Sequence, residues 1–589
     1  EPTLNPVFYI YTKYFIVPKI DTFIIAAILV CLVFNLCAGL FDSQRTSSII
    51  SVSYLIALFC IRTTFFRVKK SVRIQIPDIL FVCYFIFAAF KNDTDFNLNQ
   101  LGDIIILLLY ICIRMTDALD YKFLYIIILC LTVALSFYGY LQCAGVLLVR
   151  NKEYLMTGPF YNPAPYGALI CFFISIIITV VITIPEKAHK HVSLCVIGFS
   201  LPALALSASR AAWLASGAVL LFMFLLKSKN KLRQLPRSIG RLCVISLFAV
   251  FILSCLLLYH VRPESVKGRL FIWKVSSEMI KKTFVTGLGY NSFEANYMNY
   301  QGEYFKQGKG DETEKYLAGN VVSAYNEPIR IMIEYGLIGL SIYMLLACFV
   351  LFRTQQRETV SMAAKMVISA YILFGLFSYP NKIFSLQVLA VISFACLLNE
   401  RKDKVTYQLR FGFLHRSIIG LPFAFISLGL LFNTIRFHYA YQEFQSLLET
   451  NRTNITAKLN ELVPILSGDY LFLQNYCVLA KDIVEEKTLL EKLDKAISLS
   501  PSTTLYRMKG DCLYWHNRYE EAETFYWSAY YMLPSNQWAR ARIAMLYLKQ
   551  GKRKEAEQLA ASILKERIKS HGFDTFLLRQ EMKEVLSTH

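Results

Sequence analysis

Two arginines and one short polar cluster are the residues of this sequence best suited to do chemistry. Arg210 stands in the segment LSASRAAWLA, and Arg269 stands in VKGRLFIW. The cluster lies in SAYNEPIRIMIEYGLIG and contains Tyr325, Asn326, Glu327, Arg330 and Glu334. An arginine side chain is a planar fork that fits phosphate oxygens and stays charged at any working pH. The two arginines therefore predict an anionic ligand, and together they could hold a diphosphate.

Each of these residues also has a purely structural interpretation. Arg210 could place its charge at the end of a helix while its stem packs in apolar surroundings. Arg269 could be a solvated residue, and Glu334 could do no more than pair with Arg330 four positions earlier. Charge at membrane depth is costly and is usually functional, so the group as a whole favours a site.

The composition is that of a membrane protein. Of 589 residues, 55% are hydrophobic and only 18% are charged. The net charge of +20 does not indicate nucleic-acid binding, because the basic residues form short clusters between apolar segments. Most of the fifteen cysteines lie in apolar segments, and none has zinc-ligand spacing. The external loops hold no Asp-rich metal motif, and no P-loop pattern occurs, so we expect neither a metal nor a cofactor.

Apolar stretches long enough to cross a bilayer recur between residues 20 and 434. We predict an all-α polytopic protein with about 12–13 transmembrane helices, followed by a helical-repeat domain. The predicted spans lie near 22–41, 47–64, 77–90, 101–116, 121–141, 166–184, 191–207, 211–226, 242–260, 329–352, 360–378, 382–398 and 413–433.

The orientation follows from the basic residues of the short loops. Lys and Arg gather in alternate loops, near residues 62–73, 227–241 and 401–410, and are few in the other loops. The basic loops are expected to be cytoplasmic, together with the N-terminus. The loops at about 142–165 and 261–328 are then external. With thirteen spans the tail is external too, whereas one span fewer after the long loop would make it cytoplasmic.

The tail, residues 435–589, resembles tetratricopeptide repeats over about 465–570. Ala522, Ala529 and Pro534 stand at the small-residue and terminator positions of a 34-residue unit that carries Gly510 at its eighth position. Ala556 lies 34 residues after Ala522, and Ala496 and Pro501 lie 33 residues before Ala529 and Pro534. Such arrays bind peptides or proteins on a concave face. A structural cap on the membrane domain is the alternative, and the sequence leaves both open.

Several motifs together resemble the O-antigen ligase and polymerase superfamily. They are SASR at a helix start, an arginine and a tryptophan four positions apart (Arg269 and Trp273), GLGYNSF, and YNE followed seven residues later by YGLIG. The superfamily includes bacterial lipopolysaccharide O-antigen ligases and protein O-oligosaccharyltransferases. The resemblance covers about residues 20–400 and leaves the tail outside.

This resemblance implies a glycosyltransferase with a GT-C-like membrane fold in the bacterial inner membrane. The donor would be a glycan on undecaprenyl diphosphate, presented on the periplasmic face together with the long loop and the tail. Transfer would be metal-independent and inverting. By motif match, Arg210 and Arg269 would bind the diphosphate and stabilise the leaving group. An acceptor hydroxyl would attack an oxocarbenium-like carbon from the opposite side.

The sequence departs from the superfamily at the catalytic motif. Many members carry His-Asn where this chain has Tyr325-Asn326, and the histidine is thought to activate the acceptor. A tyrosine with a pKa near 10 is a poor base at neutral pH, although it can orient a hydroxyl. The catalytic candidates are therefore Tyr325, Asn326 and Glu327, with Glu327 able to supply the base and His260 as a remote alternative.

Three acceptors remain open: the lipid A core, a protein Ser or Thr, and another glycan chain, as in a polymerase. The tail favours a protein partner. A transporter or flippase is the rival from another class, but it would predict internal repeats and broken helices near the midplane, and no repeat is visible in the membrane portion. A non-catalytic scaffold whose tail recruits other proteins is the third class.

Overall fold

The computed structural model describes thirteen stretches of the chain. These are residues 20–37, 44–65, 71–91, 97–116, 119–184, 186–234, 263–353, 359–399, 407–410, 413–449, 455–566, 568–569 and 572–587. Within them the chain is helical apart from turns, loops and one two-stranded sheet. This confirms the predicted all-α class.

The apolar helices before the long loop follow the predicted spans. They are α1 (Ile20–Cys37), α2 (Gln44–Phe65), α3 (Ile76–Phe90), α4 (Leu98–Arg114), α5 (Tyr121–Cys143), α6 (Pro163–Thr183), α7 (Lys187–Leu206) and α8 (Arg210–Gln234). The predicted span at 242–260 and His260 lie outside the described residues.

The long loop is itself helical, and four more apolar helices follow it. The loop contains α9 (Pro263–Lys282), α10 (Ser292–Lys306) and α11 (Glu312–Leu317). After it come α12 (Glu327–Phe352), α13 (Thr359–Gly375), a 3₁₀ turn (Pro380–Lys382), α14 (Phe384–Leu398) and α15 (Phe413–Glu449). In the described part of the chain, five helices are long and apolar enough to cross a membrane, within α5, α6, α7, α12 and α15. Six shorter apolar helices accompany them, as expected of a multi-pass membrane protein.

The contacts divide the chain into two compact units. The first unit contains the described residues of Glu1–Phe85, Leu98–Cys255 and Met344–His438. The second unit contains those of Ile86–Asn97, Leu256–Tyr343 and Tyr439–His589.

Helix α6 lies at the centre of the first unit. It is apolar on all sides and contacts α5, α7, α8 and α13. Its side chains are therefore buried around the whole circumference, including Tyr166, Phe172 and Phe173. Asn162 caps its first turn by accepting a hydrogen bond from the backbone N–H of Ala164, and Pro163 occupies the first helical position, where it costs no hydrogen bond.

A short antiparallel sheet in the first unit was not predicted. Strand β1 (Ser71–Ile74) pairs with β2 (Tyr407–Arg410), and Ser71 lies opposite Arg410. Four-residue strands are too short for their hydrophobic alternation to be recognised in a basic loop. The pairing joins two of the loops whose basic residues were used to orient the chain, so these two loops lie on the same side.

A buried ion pair lies beside this sheet. Arg114 donates hydrogen bonds to the two carboxylate oxygens of Asp78 at 2.6 and 3.0 Å and to the side-chain oxygen of Asn399 at 2.6 Å. Tyr110 donates to the same carboxylate, and the carbonyl of Arg73 accepts a further bond from Arg114. The charges are tolerated in the interior because this network satisfies them.

The tail of the second unit consists of helix pairs. Its helices are α16 (Ile455–Leu466), α17 (Tyr470–Ala480), α18 (Glu486–Leu499), α19 (Thr503–Trp515), α20 (Tyr519–Met532), α21 (Gln537–Lys549), α22 (Arg553–Lys565) and α23 (Phe573–Ser587). Helices α17, α19 and α21 begin 33 and 34 residues apart, and each is followed by a partner helix that it contacts. A Cβ at Gly510 would lie 2.6 Å from the ring of Tyr526, which explains the glycine. The tetratricopeptide assignment stays a prediction.

The tail packs on the long loop through α10. Helix α10 contacts α18 and α20, and Met532 at the end of α20 belongs to the same apolar core as Phe293 and Tyr297 of α10. Gln301 of α10 donates a hydrogen bond to the carbonyl of Met532 at 2.6 Å. The long loop and the tail therefore share one hydrophobic core.

Candidate functional site

Arg269 and Trp273 lie on one face of α9 and both contact the segment before α12. The guanidinium carbon of Arg269 is 5.3 Å from the ring centroid of Tyr325. The indole N–H of Trp273 donates to the carbonyl of Ala324 at 2.9 Å. Four residues make about one helical turn, so the spacing of this motif places both side chains on the same surface. The structure thus brings together two of the motifs noted in the sequence.

Helix α9 is also fixed to the neighbouring α11. The ammonium group of Lys274 donates a hydrogen bond to the Glu314 carboxylate at 2.7 Å. This bond, together with the interaction with Tyr304, raises the pKa of Lys274, so the lysine stays protonated at neutral pH. The contact orients α9 and with it Arg269.

Tyr325 has an unusual backbone conformation. Its φ angle is +52°, in the left-handed region that residues other than glycine rarely adopt. Such strain persists only where the surroundings enforce it, and it is concentrated at functional sites. Asn326 follows, and its side-chain oxygen accepts a hydrogen bond from the N–H of Ile329 at 2.9 Å. This contact caps the start of α12, a structural role for Asn326 that holds whatever part it takes in catalysis.

Glu327, Arg330 and Glu334 form a buried charge triad on the first two turns of α12. The two glutamates are 1% and 2% exposed. The Nε of Arg330 donates to Glu327 at 2.7 Å, and one terminal nitrogen donates to Glu334. The pairing of Glu334 with Arg330 is thus confirmed, and Glu327 shares the same guanidinium.

Helix α12 is broken immediately after this triad. Gly336 has φ 63° and ψ −161°, far from helical values. A break of this kind leaves nearby backbone carbonyls and N–H groups without helical partners, which is costly where they are buried.

The segment of residues 284–289, here called the 284–289 loop, supplies those partners. Four backbone hydrogen bonds join it to α12: Leu288 N to Ile333 O at 2.8 Å, Gly289 N to Glu334 O at 2.9 Å, Leu337 N to Phe284 O at 2.9 Å and Ile338 N to Val285 O at 3.3 Å. The loop therefore bonds to the helix on both sides of the break.

Two glycines allow this close approach. A Cβ at Gly287 would lie 2.4 Å from the carbonyl oxygen of Glu334, and a Cβ at Gly336 would lie 2.3 Å from that of Val285. Both residues also have positive φ angles. The GLG and YGLIG motifs thus have a structural role: they let the loop and the helix meet backbone to backbone.

Arg210 belongs to the first unit, whereas Arg269 and the charge triad belong to the second. Arg210 begins α8, directly after a turn in which Ala208 has φ +53°. The indole N–H of Trp213 donates to the carbonyl of Leu204 at 2.8 Å and fixes this turn. The structure brings Arg269, Tyr325, Asn326, Glu327 and Arg330 into one region, and the role of Arg210 stays a prediction.

In the part of the chain that the structure describes, no group of three or more His, Cys, Asp or Glu side chains could hold a metal ion.

The role of Arg330 as the common partner of two carboxylates was not predicted from the sequence. Arg330 lies three residues after Glu327 and four before Glu334, and this helical spacing could have indicated that it pairs with both.

The apolar helices define a multi-pass membrane protein, and a polar cluster lies at the start of α12. Residues 195–344 match the family described as O-antigen ligase, a stretch that contains Arg210, Arg269 and the charge triad. This match supports the predicted resemblance of the chain to the O-antigen ligase superfamily. No curated protein matches the chain. The match supports an enzyme of glycan transfer.

Proposed function

We propose that this protein transfers a glycan from undecaprenyl diphosphate to an acceptor hydroxyl on the periplasmic face of the bacterial inner membrane. The observation that carries the proposal is the position of Arg269 over Tyr325, next to the charge triad and inside the segment that matches the family. Transfer is metal-independent and inverts the anomeric centre.

Arg269 is suited to the diphosphate because of how a guanidinium binds. It stacks on an aromatic ring through its face and donates hydrogen bonds through its edge. The Tyr325 ring thus orients a fork that fits phosphate oxygens, and the charge of that fork stabilises the departing diphosphate. Arg210 is proposed as the second ligand of the diphosphate.

The triad favours a positioning role for Glu327 over a role as general base. Its carboxylate is buried and accepts a hydrogen bond from Arg330 at 2.7 Å, so it is already engaged in an ion pair. A lipid diphosphate is a good leaving group, so charge separation accounts for most of the barrier. General-base assistance typically contributes about 10²–10⁴-fold.

The lipid A core is the acceptor that the family description favours, because the matched family is described as a ligase. A protein Ser or Thr is the second candidate, and the helix pairs of the tail favour it as a binding surface for proteins. Deleting the gene and examining lipopolysaccharide and glycoproteins on gels separates the two.

The direct test is transfer from a purified lipid-linked donor by the reconstituted protein in the presence of a chelator. Arg210→Ala and Arg269→Ala should each reduce transfer to background, and lysine should restore little, because a point charge does not reproduce a bidentate fork. Lys267→Ala is the matched control, since Lys267 is a cation of the same helix α9, two residues before Arg269.

Two results would contradict the proposal. Wild-type transfer by either alanine variant would remove that arginine from the site. Movement of labelled lipid across the bilayer without formation of a product would indicate a flippase instead.

A further inference from the structure

The charge pattern of α12 marks where its apolar part begins. Glu327, Arg330 and Glu334 occupy its first turns, and the 18 residues from position 335 to position 352 contain no charged side chain. At 1.5 Å per residue this stretch is about 27 Å long, close to the thickness of the hydrocarbon core. The break at Gly336 therefore falls at the membrane boundary of the helix.

The 284–289 loop is bonded to α12 at this boundary and carries exposed apolar side chains. Phe284 and Val285 are 51% and 56% exposed, and their carbonyls accept hydrogen bonds from Leu337 and Ile338, which are also exposed. Neighbouring apolar side chains left in water would be unfavourable, whereas the edge of a bilayer would cover them.

The other end of the loop is bonded to a second apolar helix. The N–H of Tyr290 donates to the carbonyl of Lys91 at 3.1 Å, immediately after α3 ends at Phe90. Phe90 is 84% exposed. The ring of Phe87 in α3 also contacts that of Tyr335 in α12, with centroids 6.2 Å apart. The end of α3 and the start of α12 thus both lie next to the 284–289 loop.

The residues before the loop fit a bilayer surface as well. Lys281 and Lys282 precede Phe284. Lys281 pairs with Glu278, and the ammonium group of Lys282 lies over the ring of Tyr300. A basic pair followed by apolar residues is typical of segments that lie in the interface between lipid headgroups and acyl chains.

We propose that the 284–289 loop lies in the outer interfacial layer of the bilayer, with the Phe284 and Val285 side chains inserted between lipid acyl chains. The partner is the lipid surface itself. The loop then fixes the height of Arg269 and the charge triad at the level of lipid headgroups. The proposal rests on the placement of α12 in the membrane and does not depend on the glycan chemistry.

The test uses the full chain reconstituted in vesicles of phosphatidylcholine and phosphatidylglycerol with brominated acyl chains. Phe284→Trp and Val285→Trp are compared with Ile483→Trp by tryptophan quenching above the signal of the wild-type tryptophans. Ile483 is a 64% exposed residue of the tail in the same unit. It is a control on the water side, because none of the described helices from residue 455 onward is apolar enough to cross a membrane.

Lipids brominated near the carbonyl group should quench the introduced tryptophan of Phe284→Trp and of Val285→Trp at least twofold more than that of Ile483→Trp. Because all three wild-type side chains are exposed, the tryptophans should be tolerated, and a gel-filtration profile like that of the wild type checks folding. Equal quenching at all three positions would overturn the proposal, whether or not the protein transfers glycans.

Discussion

At the scale of single residues, the Tyr325 ring suggests a role for a tyrosine at the position where, by the motif resemblance, many members of the superfamily carry a histidine. The ring lies against the guanidinium of Arg269, and this contact needs an aromatic face but no hydroxyl. A histidine ring has a comparable flat shape. The tyrosine can therefore serve the site by orienting Arg269 without acting as a base.

This role predicts different results for two substitutions of Tyr325. Tyr325→Phe keeps the ring and should retain transfer within about threefold, whereas Tyr325→Leu should lose about 2- to 30-fold, the range expected for a cation–π contact of about 0.5–2 kcal/mol. Tyr325→His should keep partial activity. Initial transfer rates at saturating donor measure all three. A phenylalanine variant as inactive as the leucine variant would assign the effect to the hydroxyl instead.

The charge triad makes a prediction about stability. Arg330→Met leaves two buried carboxylates without their cation, and breaking a buried pair costs about 3–5 kcal/mol. Arg553→Met is the matched control, because its pair with Glu557 is exposed and such pairs contribute at most about 1 kcal/mol. Thermal unfolding in detergent compares the two variants.

Glu327→Gln separates the two roles of that residue. A positioning role predicts a lower melting temperature together with a partial loss of transfer. A large loss of transfer at an unchanged melting temperature would instead favour Glu327 as the general base.

At the scale of elements, the joint between α12 and the 284–289 loop depends on glycine. Gly336→Ala places a Cβ against the backbone of Val285 at a positive φ, and we expect it to cost about 1–3 kcal/mol and to reduce transfer. Gly319→Ala is the control, because no atom lies within 4 Å of its Cβ position in the same unit. Equal melting temperatures for the two variants would show that the joint can rearrange freely.

The helices could be predicted from the sequence, but this joint could not. Apolar runs of suitable length predict the helices directly. The apolar run over residues 335–352 contains no charged residue, so no change in polarity marks the break at Gly336. The break depends on hydrogen bonds from a loop about 50 residues earlier in the chain, and local propensity holds no information about such partners. The ion pair of Asp78 and Arg114 was missed for the same reason.

The grouping of the candidate residues was predicted in part. Arg269, Tyr325 and Glu327 were identified from residue type and motif, and the structure places them in one region of the second unit. The cap formed by Asn326 and the sharing of Arg330 by two carboxylates needed coordinates, because both depend on side-chain direction.

At the scale of the whole molecule, the orientation is the first property to test. The pairing of β1 with β2 supports placing two basic loops on the same side. Cysteines introduced at Ser265 and Ser502 should react with an impermeant reagent added to the outside of spheroplasts, and a cysteine at Ser228 should not, relative to the native cysteines of the wild type. Reaction at residue 228 in sealed spheroplasts would reverse the orientation.

The shared core of the long loop and the tail affects how the tail can be studied. Removing the tail would expose the apolar face of α10 around Phe293 and Met298. A truncated chain is therefore expected to be less stable, whether or not the tail binds a partner. The alternatives of a protein-binding surface and a structural cap are therefore compatible. Substitutions on exposed tail residues are the better way to look for a partner.

The network around Arg114 also has a consequence for the order in which the protein is made. Asp78 and Arg114 are 36 residues apart and can pair as soon as α3 and α4 have been inserted. Asn399 follows Arg114 by 285 residues, which takes roughly 15–60 seconds to synthesise at about 5–20 residues per second. Strand β1 has to wait for β2 over a similar interval. The two contacts can form only after α14 and β2 have been synthesised, so the loops that they join are connected late, when α15 and the tail are the parts still to be made.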